Sequence, residues 1–423
     1  MDFDTVVKEQ REELESIERT ENIVSREGLE AVEKALKFPN ILAILGVRRC
    51  GKSIFAYLLS KGKNFGYVNF DDERLLGVDA SDLNELLKTF YKLYGEVEII
   101  ILDEIQNVSG WELFANRLRR TKRVILTGSN SKLLSGELAT HLTGRHVDIV
   151  LYPFSFKEFL KLRKFKESTV YTTKEKAEML KLLEEHLQLG GFPEAQKFGK
   201  RMVSVIYDDV LTKDIILRRK IKKVEELRKL AKYLISNVSG EFSYSKTAKT
   251  LGVKHVSTLS KWVSYLEEAF LVFKLERFNY KLKQQFLAPK KVYCVDSGII
   301  NAIGFKFSEN RGKLMENLVA VELRRRSHQE DQRETYYWKD YSQNEVNFVI
   351  KKNNEISQLI QVNYATSKED VKERERTALL KASVALKCKN LLVLTWNYEA
   401  KEKTRNLEIQ FTPLWKWLLE NTS

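Results

Sequence analysis

Residues 46–53 of the 423-residue chain read Gly-Val-Arg-Arg-Cys-Gly-Lys-Ser, which fits the pattern G-x-x-x-x-G-K-S. In such a loop the glycines let backbone N–H groups face phosphate oxygens, the lysine adds a positive charge, and the serine hydroxyl can bind Mg²⁺. We therefore predict a site for nucleotide phosphates here, with Lys52 also active in catalysis. The predicted nucleotide-contacting residues are Gly46, Val47, Arg48, Arg49, Cys50, Gly51, Lys52, Ser53 and Ile54.

An acidic pair, Asp103 and Glu104, ends the apolar run in EIIILDEIQ further along the chain. Four apolar residues place Asp103 at the carboxyl edge of a buried strand, where it would hold Mg²⁺ together with Ser53. Glu104 is then placed to orient and deprotonate an attacking water. A buried strand that ends in a solvated acidic pair is the alternative interpretation. It would explain the phosphate-loop motif or the acidic pair taken singly, but it explains poorly why both occur in this order. The expected cofactors are ATP and Mg²⁺.

Polar residues also follow the next predicted strand, in RVILTGSN, where Thr127 precedes Ser129 and Asn130. Side chains at that edge can sense a γ-phosphate through hydrogen bonds, and we predict catalytic roles for Ser129 and Asn130. A turn with a helix N-cap explains them equally well, because Ser and Asn favour both. Arg145 begins the last strand and could stabilise γ-phosphate charge, in cis or at a neighbouring subunit's nucleotide. A salt bridge is equally compatible with Arg145.

A second acidic pair, Asp71 and Asp72, follows a predicted strand in FGYVNFDDER. These carboxylates could hold metal-bound water or Arg48. An ordinary solvated turn is the favoured interpretation of this pair.

The elements that must position these residues are apolar runs alternating with helical stretches between residues 40 and 153. The runs are ILAIL, FGYVNF, EIIILDE, RVILTGS and VDIVLYP. Continuous Val, Ile and Leu runs are typical of strands buried on both faces of a parallel sheet. We therefore predict an α/β domain preceded by helices over residues 5–37, with a helix, SIFAYLLSKG, directly after the phosphate-binding loop.

Length and composition set the outer limits. The chain is too long for one compact core, which indicates two to four domains. It carries 72 Lys and Arg against 58 Asp and Glu, a net charge of +14 that favours polyanionic partners. The three cysteines are too widely spaced for a zinc site or a disulfide framework. No segment approaches the roughly 20 apolar residues that span a bilayer, so we expect a soluble cytoplasmic protein without a membrane partner.

Several phrases together resemble a prokaryotic, especially archaeal, family of AAA-type P-loop ATPases. They are GVRRCGKS, IIILDEIQNVSGWE, ILTGSNSKLLSGELATHLTGRHVDIVLYPFSFKEFL and GGFPEA. In that family a winged helix is followed by a C-terminal domain of once-unknown function. The resemblance covers most of residues 20–420 and implies a RecA/AAA-like core, a helical lid and ATPase activity. Relatives of the core often form rings, so a homo-oligomer stays open, and the resemblance assigns no substrate.

Residues 225–285 contain the pattern of a helix-turn-helix within a predicted winged helix. Tyr244–Leu251 and His255–Glu267 are predicted helices joined by a turn at Gly252, and Tyr280–Lys283 with FLVFKLERF is the predicted wing. The predicted DNA contacts are Lys254, His255, Ser257, Thr258, Lys261, Arg277, Lys281 and Lys283, with Arg218, Arg219 and Lys222 in the basic run upstream. Winged helices also bind proteins, so this alternative stays open.

Residues 311–364 look like the restriction-endonuclease-like domain found at this position in the same family. The resemblance places the helix acid of that fold on Glu316, with Glu322 as the alternative, and its strand positions on Asn347, Gln361 and Asn363. Neutral amides bind Mg²⁺ poorly, so we predict no nuclease activity. Such a domain could still dock DNA or protein through Arg324, Arg325, Arg326 or the aromatic run at residues 336–338, although core packing is favoured for the aromatics.

We thus predict an α/β protein of four domains. These are a P-loop core at 1–153, a helical lid at 154–224, a winged helix at 225–285 and a catalytically inactive endonuclease-like domain at 286–423. The leading functional prediction is a Mg²⁺-dependent AAA-type ATPase that couples ATP binding and hydrolysis to DNA binding or remodelling, through DNA structure or backbone. The alternative is a nucleotide-dependent regulatory or signalling switch that binds protein partners. Active nuclease chemistry, the third hypothesis, conflicts with the amide substitutions.

Overall fold

The structure, a computed structural model, divides the chain into two compact units. The first comprises residues 1–153 and 268–270, and the second comprises 154–267 and 271–423. The residues described are 2–131, 133, 144–305, 311–328, 332–404 and 407–420. Within this described part of the chain, no helix is both long and apolar enough to cross a membrane.

A five-stranded parallel sheet forms the centre of the first unit, in the order β2-β3-β4-β1-β5. Its strands are β1 Ile41–Leu45, β2 Phe65–Asn69, β3 Ile99–Asp103, β4 Arg123–Gly128 and β5 His146–Val150. Every residue of β1 and β3 is buried, which explains why their sequences show continuous apolar runs rather than alternation. The predicted α/β fold with a parallel core sheet is confirmed.

Helices surround this sheet and complete its core. They are α1 Phe3–Thr20, α2 Leu29–Ala35, α3 Lys52–Ser60, α4 Leu83–Tyr94 and α5 Trp111–Leu118. The first turn of α1 is capped by Asp2, whose carboxylate accepts the backbone N–H of Thr5 at 3.2 Å. Phe90, Ile100 and Trp111 belong to one buried cluster with the strands. The sheet edge that follows β1 and β3 is thereby held by packing on both faces.

The second unit begins with helices that match the predicted helical region. They are α6 Phe156–Leu162, α7 Thr173–Leu189, α8 Pro193–Phe198 and α9 Lys200–Asp209, which continues as a π-helix over Val210–Leu217. The break predicted at GGFPEA separates α7 from α8. Gly191 has to be glycine there, because a Cβ would lie 2.3 Å from the Phe154 carbonyl oxygen. Its N–H donates to the buried Asp296 carboxylate at 2.7 Å.

A small antiparallel sheet with four helices follows. Its elements are α10 Val224–Ser236, β6 Glu241–Phe242, α11 Tyr244–Leu251, α12 Val256–Glu268, β7 Val272–Leu275, α13 Leu282–Leu287 and β8 Lys290–Cys294. The strand order is β6-β8-β7, so β8 hydrogen-bonds to both other strands. The domain boundary predicted at residues 285/286 therefore cuts through this sheet, and the structure moves it beyond Cys294. The sequence misled because the helix α13 interrupts the predicted wing.

The remainder of the second unit is a six-stranded mixed sheet with helices, in the strand order β13-β14-β12-β11-β10-β9. The strands are β9 Arg333–Lys339, β10 Glu345–Lys352, β11 Glu355–Val362, β12 Leu391–Thr395, β13 Ala400–Thr404 and β14 Leu407–Pro413. The helices are α14 Ser297–Ile303, α15 Arg311–Ser327, α16 Glu373–Leu386 and α17 Leu414–Leu419. Helix α14 packs on α7 and α9, which joins this region to the preceding helices.

His186 of α7 is a buried imidazole without a polar partner at Nδ1 among the described residues. It packs against the rings of Phe156 and Phe159, with centroid distances of 5.7 and 5.0 Å. Burial, reinforced by the charge of Arg325, lowers the pKa of His186 to about 3. Folding therefore requires the neutral imidazole.

We expect this histidine to make stability pH-dependent. The unfolded state, with a histidine pKa near 6.5, binds the extra proton as pH falls, while the folded state does so only near pH 3. Stability is thus lost as pH drops below about 6.5, by about 2 kcal/mol between pH 7 and pH 5. Denaturant unfolding of wild type and His186→Phe at both pH values measures it. The variant should lose this difference, and equal pH slopes would contradict the prediction.

Candidate nucleotide site

The phosphate-binding loop connects β1 to α3 in a conformation that requires its glycines. Gly46 passes so close to the end of β5 that a Cβ would lie 2.2 Å from the Leu151 carbonyl oxygen. Gly51 has a positive φ of +98°, a backbone conformation that favours glycine. Arg49 also has a positive φ, of +64°. The chain then enters α3 at Lys52, so the loop and the helix N-terminus share one edge of the sheet. This is the arrangement that the sequence motif predicts for anion binding.

Lys52 is a buried lysine that links the loop to β3. Its Nζ donates to the carbonyl oxygens of Gly46 at 3.2 Å and Val47 at 3.3 Å. The same Nζ lies 3.3 Å from Glu104 Oε1 in an ion pair whose side chains are 4% and 11% exposed. The loop and the acidic pair are therefore one constellation in space, as their order in the sequence predicted.

Asp103 is fully buried at the end of β3. Tyr67 donates to Oδ2 at 2.8 Å, Thr127 donates to Oδ1, and the Ser53 hydroxyl is also hydrogen-bonded to the carboxylate. Burial and the neighbouring charge of Glu104 nevertheless raise the pKa of Asp103. The carboxylate and the Ser53 hydroxyl thus meet, and they are oxygen ligands of the kind that Mg²⁺ prefers.

Glu104 is held in the left-handed backbone region at φ +52°. Its N–H donates to Thr127 Oγ1 at 3.0 Å, so Thr127 contacts both acidic residues. Burial opposes ionisation of Glu104, but Lys52, Arg48 and a hydrogen bond from Gln106 outweigh it and lower the pKa to about 2. Glu104 is therefore a carboxylate at neutral pH and can accept a proton from water.

Three residues at this site were missed by the motif search: Tyr67, Gln106 and Arg26. Gln106 Nε2 donates to Glu104 Oε2, while its Oε1 is buried without a hydrogen-bond partner in the described structure. Arg26 is buried and donates to the carbonyl oxygens of Cys50, at 2.9 Å, and Tyr152. Gln106 could have been found from the sequence, because it is a polar residue two positions after Glu104. Nothing in the sequence around Arg26 indicates its contact with the loop.

The residues after β2 have different roles. Arg48 of the loop forms an ion pair with Asp71 at 2.8 Å, one of the two contacts considered for that carboxylate. Asp72 instead binds Gln10 at 2.9 Å and Arg74 at 2.8 Å. Asp71 thus supports the loop, while Asp72 fastens α1.

Ser129 and Asn130 lie just beyond β4, at the same sheet edge as Asp103, and Ser129 is buried. Arg145 is placed elsewhere, because its carbonyl accepts the N–H of Ile41 at 2.9 Å, at the amino end of β1. The loop begins at the other end of β1, about 16 Å away along the strand. The predicted cis contact of Arg145 with a γ-phosphate is therefore wrong, since strand direction separates them, and only a role at a neighbouring subunit stays a prediction.

The predicted DNA contacts fall into two groups, exposed polar or basic side chains and arginines that contact other residues of the chain. Lys254, His255, Ser257 and Lys261 are exposed around the start of α12, and Thr258 is half-buried. Lys222, Lys281 and Lys283 are also exposed.

The second group consists of arginines that contact other residues of the chain; Arg218 and Arg277 are half-buried, and Arg219 is exposed. Arg277 donates to the Lys339 carbonyl oxygen, Arg218 lies 3.5 Å from Asp214, and Arg219 lies over the Tyr265 ring at 4.9 Å.

Two of the three arginines at the end of α15 are internal. Arg325 pairs with Glu322 at 3.3 Å and Glu158 at 3.7 Å, and buried Arg326 pairs with Glu322 at 2.8 Å. Arg324 is exposed and lies over the Phe273 ring at 4.8 Å. The suggested docking role of Arg325 and Arg326 is therefore wrong, because a shared carboxylate holds both inside the fold.

The predicted helix acid of the C-terminal domain binds a lysine. Buried Lys291 lies 2.9 Å from Glu316 and 2.6 Å from Glu345, and Tyr293 donates to Glu316 at 2.8 Å. Burial opposes the charged amine, but the two carboxylates outweigh it and raise the pKa of Lys291. No group of three or more metal-ligating His, Cys, Asp or Glu side chains occurs within the described residues.

The amide positions make hydrogen bonds within the sheet. Asn347 Oδ1 accepts the N–H of Val362 at 2.9 Å, and Gln361 Oε1 accepts the N–H of Asn347 at 3.2 Å. Asn363 donates to Glu375. In the aromatic run, Tyr337 is fully buried and donates to the Pro289 carbonyl oxygen at 2.6 Å, which is a packing role.

Comparison with known proteins assigns the chain to a family. The uncharacterized protein MJ1544 of Methanocaldococcus jannaschii is 37% identical over 403 residues, which cover 90% of this chain and 89% of that protein. The chain belongs to the same family. An uncharacterized protein of Haemophilus influenzae is 32% identical, with 79% of this chain and 85% of that protein covered.

Three domain families match successive parts of this chain. Residues 39–160 match an AAA domain, residues 180–310 the domain of unknown function DUF8612, and residues 311–417 the domain of unknown function DUF4143. The first unit is thus the core of an AAA-type, nucleotide-dependent P-loop ATPase. Among solved structures, the ADP form of the Aeropyrum pernix ORC2 protein aligns with a TM-score of 0.33 and 13% identity, covering 65% of this chain and 90% of that chain.

We expect Gln106→Ala to lower kcat for ATP hydrolysis at least tenfold while leaving nucleotide affinity within about twofold, because Gln106 orients Glu104 and general-base catalysis contributes about 10²–10⁴-fold. Steady-state turnover and titration with a fluorescent ATP analogue measure the two effects. Gln188→Ala is the matched control, since Gln188 donates to Glu184 at 3.0 Å in α7. A Gln106 variant with normal kcat would exclude this role.

Proposed function

We propose that this protein is a Mg²⁺-dependent ATPase that couples ATP binding and hydrolysis to the binding or remodelling of DNA. The observation that carries the enzymatic part is the meeting of Lys52, Asp103 and Glu104 at the carboxyl edge of one parallel sheet. A basic loop residue, a buried metal-type carboxylate and an ionised carboxylate base are the groups that phosphoryl transfer to water requires.

Phosphate binding uses the loop and the N-terminus of α3. Backbone N–H groups and the helix dipole favour negative charge there, and Lys52 supplies a full positive charge. With phosphates bound, the Lys52 amine exchanges its carbonyl partners for phosphate oxygens. Catalysis benefits because the donors are positioned before the reaction begins.

The metal requirement rests on Asp103 and Ser53. Asp103 is a buried carboxylate whose pKa is raised, so a cation beside it would relieve an unfavourable charge. Bound there, Mg²⁺ would neutralise charge on the phosphate oxygens. Tyr67 and Thr127 fix the carboxylate that would hold it.

Proton removal is assigned to Glu104. In the structure its negative charge is compensated by Lys52, which lowers its basicity. When Lys52 turns to the phosphates, Glu104 loses that partner and its proton affinity rises. The base is thus strongest when substrate is present, and Gln106 keeps it oriented through the change.

DNA binding is assigned to the segment from α10 to β8. Its order of helix, strand, two helices, strand, short helix and strand, with β8 between β6 and β7, supports the winged-helix hypothesis. The exposed polar and basic start of α12 has the character of a recognition helix, whose first residues reach base edges and phosphates. Lys222, Lys281 and Lys283 extend the basic surface.

The second candidate function is a nucleotide-dependent switch that binds protein partners. The inward contact of Arg277 favours it, because it removes one of the positive charges assigned to DNA, and ion pairs hold Arg325 and Arg326, which were considered for docking DNA or protein, inside the fold. We propose that neither activity includes DNA cleavage, since Lys291 already neutralises the helix acid Glu316 and amides occupy the remaining positions.

Lys52→Ala should reduce ATP turnover to background, because both phosphate charge and Glu104 lose their partner. Lys61→Ala is the matched control, since exposed Lys61 follows the same helix and pairs with half-buried Glu18. Glu104→Gln should bind ATP yet hydrolyse it at least about a hundredfold more slowly. Phosphate release with Mg²⁺ and with chelator is the measurement. Normal turnover by Lys52→Ala would refute the assignment.

Lys254→Ala combined with Lys261→Ala should weaken duplex binding and reduce the slope of log K against log salt by about 2, because two phosphate contacts are lost. Lys174→Ala with Lys176→Ala, in the exposed first turn of α7, is the control. Fluorescence anisotropy over a salt series measures both. If wild type binds no DNA at low salt, the protein-binding switch is favoured instead.

A further inference from the structure

Residues 280–287, called the α13 segment below, expose several large apolar side chains between β7 and β8. Tyr280 is 71% exposed, Leu282 66%, Phe286 65% and Leu287 77%. Leu282 and Phe286 are four residues apart and share one face of α13. Contiguous exposed apolar side chains of this size mark an interaction surface rather than ordinary surface variation.

The same region is positively charged. Residues 277–290 contain four Lys and Arg and no Asp or Glu. Arg277 donates to the Lys339 carbonyl oxygen, and Lys290 lies 3.3 Å from Glu276, so both are used inside the fold. Lys281 and Lys283 are exposed and have no ion-pair partner among the described residues. The α13 segment therefore interleaves apolar side chains with uncompensated positive charge.

An open groove of about 440 Å³ adjoins the segment. Leu287 lines one part of it, and Trp338 and Tyr341 line another. Tyr341 is 96% exposed, so an aromatic ring stands free beside the helix. The groove and the α13 segment therefore expose apolar side chains on an open surface rather than in a closed cavity.

We propose that the α13 segment binds unstacked bases, where a DNA duplex opens into single strands. This inference rests on the DNA-binding function proposed above and specifies its substrate. Unpaired bases present apolar faces that stack on aromatic side chains, and proteins that distort DNA insert Leu and Phe between base steps. Phosphates on either side of the opening match Lys281 and Lys283. One ligand thereby accounts for both the apolar surface and the charge.

Two DNAs of equal phosphate count test this with the full-length protein: a fully paired duplex and a fork carrying 2-aminopurine at the junction. Wild type should bind the fork about tenfold more tightly and raise the 2-aminopurine fluorescence. The triple variant Leu282→Ser, Phe286→Ser, Leu287→Ser should bind both DNAs equally, at the duplex affinity of wild type. Lys281→Gln with Lys283→Gln should weaken binding to both DNAs alike. Val384→Ser, an exposed apolar residue of α16, is the control.

The outcomes separate this inference from the function beneath it. If the triple variant keeps the fork preference, the α13 segment does not bind bases, while the DNA-binding function stands. If wild type binds neither DNA, the proposed DNA function fails and this inference falls with it. If the triple variant changes the molar mass by light scattering with the fork preference intact, the surface joins copies of the chain, which also overturns the proposal.

Discussion

Three ionisable groups are buried together at the edge of the parallel sheet, and each needs a partner that compensates its charge. Lys52 and Glu104 compensate each other, while Asp103 depends on hydroxyl donors and retains a raised pKa. Burying a charge without compensation costs several kcal/mol. The neighbouring side chains are therefore constrained in type and position, and this requirement accounts for Thr127 contacting both acids.

The same constraint explains why distant parts of the first unit bear on the site. Arg26 precedes β1 in the sequence, yet its guanidinium holds the carbonyl oxygens of Cys50 in the loop and of Tyr152 beyond β5. Tyr67 comes from the end strand β2 and reaches Asp103. Chemistry at this edge thus depends on Arg26 and Tyr67, which belong to neither sequence motif. Tertiary packing brings their hydrogen-bond donors to the site.

Charge compensation also shapes the second unit. Lys291 comes from the small sheet, Glu316 from α15 and Glu345 from the large sheet, so one ion-paired lysine joins three elements. Lys339 continues the network, 2.9 Å from Glu241 and 3.5 Å from Glu345. One buried amine therefore compensates two carboxylates and holds these elements together.

Much of the first unit could be predicted because its signals are local. Runs such as ILAIL and IIILD predict buried parallel strands, and G-x-x-x-x-G-K-S predicts the loop between strand and helix. The position of Arg145 follows from the predicted parallel sheet, since a residue that begins β5 lies at the edge opposite the loop. The end of the small sheet at Cys294 depends instead on pairing between β8 and two distant strands.

The sequence by itself determined the nucleotide loop, the acidic pair, the strand segments of the core and the excess of positive charge. Only the tertiary structure decided which charges are available to a partner, by turning Arg277, Arg325 and Arg326 inward and leaving Lys281 and Lys283 exposed. It also decided that Gln106 and Arg26 belong to the site, and that Lys291 compensates Glu316. The physical reason is that motifs and periodicity are read over a few residues, whereas charge partners are set by contacts between elements far apart in the chain.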